Sequence, residues 1–477
     1  EQKDYARFLP ALSGFYATYV GKQRYDEYVD KSRIPSNFTH GVESLNYLNK
    51  QEGQFQYKWT LYSAGHAELD VNKHAPKEDM VRNRDRDNTW ILGDSGGFQI
   101  GKGVWEGDWK DPNCPKAQKK RDGVLRWMDK FMDYGMILDI PAWVDRSPEG
   151  SAASKISSYQ EAVNGTRYNN EYFMKHRDGN CKFLNVLQGE NFAQADDWYE
   201  QMKDFCDPIK YPETHFNGWA MGGQNMCDIH LALKRVVTLM RDGLLEKGKH
   251  DVMHFLGTSK LEWAMVLTAI QRGVRKSHNE NFTITFDCAS PFLATSNGTQ
   301  YTGYRLEHEG KWSYMMESAP DDKALHTDTT AYDQYCDPLY DNWMSSPMSQ
   351  GLKLNDVTVY GPNDVNRMGQ SNATSWDSFT YALLMNHNVY THLRSVQEAN
   401  RVFDEGRYPY MLVEDTFDKT EVKDVIARIF ELDSYDAQMK MIDDHTRLWM
   451  KVVGTRGHVG KKTVNSSAQY FSLFEEV

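Results

Sequence analysis

The chain is predicted to fold as an α/β protein, a TIM-type (β/α)₈ barrel with insertions and a C-terminal mixed, mostly helical extension. Eight apolar runs of β character recur over about the first 290 residues, each stopping at a small or polar residue. Helical patterns fill the gaps between them, which is the rhythm of strand–helix units rather than of hairpins.

The runs are Phe8–Leu12, Tyr57–Tyr62, Trp90–Asp94, Met136–Asp139, Phe183–Gln188, Gly218–Gly222, Val252–Gly257 and Phe282–Asp287. The last six end at 94, 139, 188, 222, 257 and 287, steps of 45, 49, 34, 35 and 30 residues. Helices are expected at Asp228–Asp242 and Lys260–Lys276. The second follows Thr258-Ser259, an N-cap candidate, and ends in Arg272, Arg275 and Lys276, cations suited to a helix C-terminus. The longer connections, Ile100–Gly123 and Ser147–Asn180, read as insertions, and an open doubly wound sheet is the alternative architecture.

The barrel is assigned to residues 1–292 and an irregular subdomain rich in Thr, Asp and Tyr to 293–377. Residues 378–477 form a C-terminal region with helices at Ser378–Glu405 and Thr420–Trp449 and a basic tail. The tail lacks P-loop spacing, and its Arg456, Lys461 and Lys462 are candidates for holding a nucleic-acid backbone.

Composition bounds the function. With 40% hydrophobic residues, 34 Gly and 15 Pro among 477, the chain is a globular enzyme rather than a disordered or fibrous one. No apolar stretch approaches the roughly 18–20 residues that span a bilayer, and Glu1–Tyr5 has no secretory character, so a cytoplasmic protein is expected. The six cysteines, at 114, 181, 206, 227, 288 and 336, form no Cys-x-x-Cys pair and are read as reduced thiols. Sequons such as Asn37-Phe-Thr are read as chance matches. The net charge is 55 − 67 = −12, so a nucleic-acid partner requires a local basic face.

In a barrel of this type the strand ends define the active face. Asp94, Asp139, Gln188, Gly222-Gly223, Gly257 and Asp287 stand there. Two carboxylates flanking an anomeric carbon are the usual equipment for breaking a glycosidic bond, a role suited to Asp94 and Asp287. A third Asp, a Gln and the backbone N–H groups of Gly222 and Gly223 suit the edge of a purine.

The string Asp94-Ser-Gly-Gly-Phe-Gln99 resembles the signature of the tRNA-guanine transglycosylase (queuine/archaeosine tRNA-ribosyltransferase) superfamily. Val186-Leu-Gln-Gly189, Gly218-Trp-Ala-Met-Gly-Gly223, Phe255-Leu-Gly257, Phe286-Asp-Cys288 and Leu383-Leu-Met-Asn-His-Asn388 are similar to further family motifs in the family's order. The resemblance covers roughly residues 8–292 and 380–405. It implies that Asp287 is the nucleophile that captures the sugar C1′ and Asp94 the general acid/base. It also implies that Ser95, Asp139, Gln188, Gly222, Gly223 and Gly257 surround the base, with Phe98 and Leu256 sandwiching it. The reaction implied is ping-pong exchange of a free base through a covalent intermediate, on an unpaired or flipped nucleotide.

Three departures refine the resemblance. The family's structural zinc needs a Cys-x-Cys-x-x-Cys cluster that is absent, leaving only His387 and Cys336 as zinc candidates, so no cofactor is expected. Asp287-Cys-Ala-Ser-Pro-Phe-Leu-Ala294 lacks the arginines that follow the family's nucleophile, and Gln224-Asn-Met-Cys-Asp228 replaces Leu-Ala-Val-Gly-Glu. The chain therefore looks most like the DNA 7-deazaguanine transglycosylases of bacteriophages and bacterial modification clusters. The implied partners are DNA and a free, preQ0-like 7-deazaguanine, and a homodimer is expected because family members are often dimers. The alternatives are an enzyme acting on tRNA, a retaining glycoside hydrolase, and an inactive nucleic-acid-binding paralogue.

Overall fold

A computed structural model describes residues 4–26, 29–257, 259–340, 342–364, 374–413 and 420–452. Arg456, Lys461 and Lys462 lie outside the described residues. The eight parallel strands fall at the apolar runs, the fourth sharing only Met136 with its run: β1 (Arg7–Pro10), β2 (Trp59–Ser63), β3 (Trp90–Asp94), β4 (Tyr134–Met136), β5 (Lys182–Leu187), β6 (Gly218–Met221), β7 (Val252–Phe255) and β8 (Thr283–Cys288). Their order is β1-β8-β7-β6-β5-β4-β3-β2. The ring closes where Ala11 bridges Leu61 in parallel and the Leu12 N–H donates to the Leu61 carbonyl at 2.9 Å. The Thr60 hydroxyl reinforces that seam by donating to the Pro10 carbonyl at 2.7 Å. The fold is a TIM-type (β/α)₈ barrel, with helices following most of the strands.

Two expectations about the barrel are corrected. The fourth strand stops at Met136, three residues before Asp139. There the chain peels away from the sheet, since the Asp139 N–H donates to the Ile137 carbonyl at 3.0 Å and the Ile140 N–H to Thr166 Oγ1 at 2.9 Å. The helix after β7 runs Leu261–Ser277 with Lys260, not Ser259, at its N-cap. Ser259 is diverted, its hydroxyl donating to Cys288 Sγ at 2.7 Å; Thr258 lies outside the described residues. Asp228 caps the helix Ile229–Arg241, accepting the Leu231 N–H at 3.2 Å. The two presumed insertions contain the barrel's own helices, Pro115–Phe131 and Tyr159–His176.

The region after 292 is more regular than its composition suggests. β9 (Thr299–Arg305) and β10 (Ser313–Ser318) form an antiparallel hairpin, built from the Thr and Tyr residues that favour strands. The helix Ser378–Asp404 packs on β9, on the short helix Ser290–Ser296 and on Leu261–Ser277, extending one hydrophobic core through all three regions. The last helical stretch is divided into Val422–Glu431, Tyr435–Asp444 and Thr446–Lys451, because Ser434 caps a new start by accepting the Ala437 N–H at 3.1 Å. Among the described residues, no helix is long and apolar enough to cross a membrane.

His387 and Asn388 fasten the long helix to the hairpin. Asn388 Oδ1 accepts the Tyr301 N–H at 2.8 Å, and its amide donates to the Pro291 carbonyl at 3.0 Å and to Thr295 Oγ1 at 3.1 Å. Both residues are fully buried, so each lost partner leaves a polar group stranded without water. Asn388→Ala is therefore expected to destabilise the chain by about 2–4 kcal/mol, read as a lowered denaturant midpoint with an unchanged slope.

Candidate active site

The strand ends bring three carboxylates to one mouth. Asp94 ends β3 half-buried, where the backbone N–H groups of Ser95 and Gly96 favour its charged form. Asp139 and Gln188 are both 7% exposed, and the Gln188 amide donates to Asp139 Oδ2 at 2.7 Å. The nearby Ser95 side chain also favours the charged form of Asp139. Asp287, on β8, is 1% exposed, and its Oδ1 accepts the Gly257 N–H at 3.1 Å.

Burial pushes the Asp94 carboxyl up to about 7, and the negative charges of Asp139 and Asp287 push in the same direction. Burial also raises Asp139, to about 6, against the lowering effect of its Gln188 hydrogen bond and of the nearby Ser95. A carboxyl that titrates near neutrality can both give and take a proton, as acid/base catalysis requires.

The glycines of these motifs are where the walls meet. A Cβ on Gly97 would lie 2.2 Å from the Asp139 carbonyl oxygen, so only glycine lets the segment after β3 approach the one after β4. Gly223 combines φ +57 with a Cβ position 2.4 Å from the Gly189 carbonyl oxygen. Gly222 lies between Gln188 and Leu256. Its N–H, expected to face a ligand, instead donates to the Leu187 carbonyl at 2.8 Å, because the sheet register extends one residue past β6.

Phe98 and Leu256, both half-buried, pack against Met226 and Cys227 and join that small apolar pair to the main core. Met226 and Cys227 stand in the segment where the motif departs from the family, and their place in the wall was not read from the sequence. The apolar side of the mouth thus stands opposite no extra charge from that segment: Asp228 is turned away as a helix cap and accepts from Gln224 Nε2 at 3.1 Å. A cavity of about 800 Å³ in the outer helical layer, lined by Arg241, Arg272, Lys276 and Phe430, contains none of these groups.

One further residue at the site was missed. His254, fully buried on β7, places Nε2 2.7 Å from Asp287 Oδ1 and Nδ1 2.8 Å from Thr285 Oγ1. Its signal was a lone imidazole inside an apolar strand that pairs in register with the strand carrying Asp287.

Neither zinc candidate is disposed as a metal ligand. His387 Nδ1 is 2.7 Å from Ser346 Oγ and Nε2 is 2.8 Å from the Tyr301 carbonyl, so both ring nitrogens are engaged. Burial lowers the His387 imidazole to about 4 and raises the Cys336 thiol to about 12, the reverse of what thiolate ligation needs. Among the described residues, no group of three His, Cys, Asp or Glu could hold a metal ion, so the residues present do not fit a zinc site. All six cysteines are free.

No family model matches the chain, and no curated protein matches it.

The raised carboxyls link the site to stability. The folded chain holds the Asp94 and Asp139 protons more tightly than the unfolded chain, so stability falls as pH rises from about 4 through about 7. Asp94→Asn removes its share of that loss. Its melting temperature is expected to exceed the wild type's by about 1–4 °C at pH 8, with the gain vanishing near pH 4 in paired calorimetric scans.

Proposed function

We propose that the chain is a base-exchanging transglycosylase that replaces guanine in DNA with a free 7-deazaguanine of the preQ0 kind. The observation that carries this reading is the convergence of Asp94 and Asp287 on one mouth that also holds the paired Asp139 and Gln188. Asp287 attacks the sugar C1′, the C1′–N9 bond breaks, and its electron pair leaves on guanine, which takes a proton from Asp94. The incoming base returns that proton from its own N9 to Asp94 and attacks C1′, breaking the C1′–O bond and restoring the Asp287 carboxylate. The proton cycle closes, so the exchange needs no redox partner and no cofactor.

Asp139 accepts from the N1–H and 2-amino edge of the purine, held in place by Gln188. Gln188 has a second amide hydrogen with which to meet O6. Phe98 and Leu256 bound the ring, and Met226 and Cys227 offer an apolar surface that suits a neutral substituent. DNA is favoured over tRNA because Ala289, Ser290 and Pro291 follow the nucleophile's strand where the family has base-contacting arginines. The target nucleotide must be unpaired or flipped to reach a carboxylate this deeply set.

Labelled guanine offered with single-stranded DNA, duplex DNA and tRNA tests this reading. Label is expected in DNA, with a denaturant-resistant protein–DNA adduct, and Asp287→Asn should lower exchange by about 10³-fold or more. Label confined to tRNA would replace the substrate while keeping the chemistry, and exchange by Asp287→Asn would reject the nucleophile.

A further inference from the structure

We infer that His254 is a positioning residue for Asp287, holding one carboxylate oxygen so that the other attacks and the carboxylate can later depart. This rests on the reading of Asp287 as the nucleophile.

The geometry follows from strand register. β7 and β8 run parallel with His254 paired to Thr285, and Asp287 lies two residues further along β8, so Thr285 and Asp287 share one face of the sheet. An ionised carboxylate only accepts hydrogen bonds, so the ring nitrogen facing Asp287 carries the hydrogen. His254 Nε2–H therefore donates to Asp287 Oδ1 at 2.7 Å, and the Thr285 hydroxyl donates to Nδ1 at 2.8 Å. Asp287 thus selects the tautomer, and the Thr285 hydroxyl, able to donate or accept, accommodates it. His254 and Thr285 are fully buried, so no water competes for these positions.

Both donors to the carboxylate among the described residues, His254 and Gly257, fall on Oδ1. Oδ2 is then the oxygen that bonds to C1′. After attack, Oδ1 becomes an ester carbonyl and its hydrogen bonds weaken; when the C1′–O bond breaks, negative charge returns to the carboxylate and they strengthen. The His254 bond therefore favours the departing carboxylate over the ester, which acts on the second half of the exchange more than on the first. No atom passes between His254 and the substrate.

His254→Phe keeps a ring and removes the donor, whereas His254→Gln keeps an N–H donor. The expected result is a turnover about 10- to 100-fold lower in His254→Phe, with a larger fraction of protein in covalent adduct at steady state. His254→Gln should stay within about 10-fold of wild type with a wild-type adduct fraction. A purely structural role would lower adduct and turnover together in both variants, and that result, or wild-type behaviour in His254→Phe, overturns the inference. A second measurement does not depend on turnover. In ¹⁵N-histidine spectra, with His254 assigned by its loss in His254→Gln, a hydrogen-bonded Nε2–H should be present and should shift in Asp287→Asn. An unshifted or unprotonated Nε2 overturns the inference whatever the activity. If Asp287→Asn still exchanges bases, the reading of the nucleophile fails, and the role of His254 in catalysis fails with it even where the contact is observed.

Discussion

Three carboxylates at one partly dehydrated mouth repel one another, and much of the surrounding structure offsets that repulsion. Asp139 receives Gln188, Asp287 receives Gly257 and His254, and Ser95 and Gly96 lie where they favour the charged forms of Asp139 and Asp94. Each of these groups is fixed by the barrel: four of the five residues stand just past a strand end, and His254 reaches Asp287 through the β7–β8 register. A slip of one residue in that register would turn His254 to the other face and leave Asp287 with a single donor among those described. The parallel ring is thus less a container for the site than the device that sets its charges.

The offset is incomplete, and the remainder is visible at Asp94. Two backbone N–H groups favour its charged form, yet burial and two neighbouring charges still carry its carboxyl to about 7. A fold selected for stability alone would place an amide there. An acid at that point suits the proton transfer proposed for it.

Much of this was legible in the sequence because it is local. The eight strands were readable as apolar runs, the fourth only at Met136, and Asp94 and Asp287 as the polar residues that end two of them. What was not legible depends on the third dimension. His254 is an ordinary strand residue until Asp287 is placed beside it, and the Gly222 N–H looks available until Leu187 claims it. Asp139 reads as a strand terminus but leaves the sheet early, because the side chain of Thr166, on another element, captures the next backbone amide. Met226 and Cys227 could be seen as departures from a motif, though only packing against Phe98 and Leu256 makes them a wall. Ser259 had the right chemistry for a cap and was drawn off by Cys288.

The fastening of Tyr301 reaches beyond the site. One strand residue has its N–H held by Asn388 and its carbonyl by His387, and the same Asn388 grips Pro291 and Thr295 just beyond β8. The polypeptide is therefore not modular at the point where its barrel ends. Exchanging the C-terminal part for an unrelated one, as recombination does with true modules, would strip the wall behind β8 of its anchors. The C-terminal hairpin and the end of the barrel are thus constrained to change in concert.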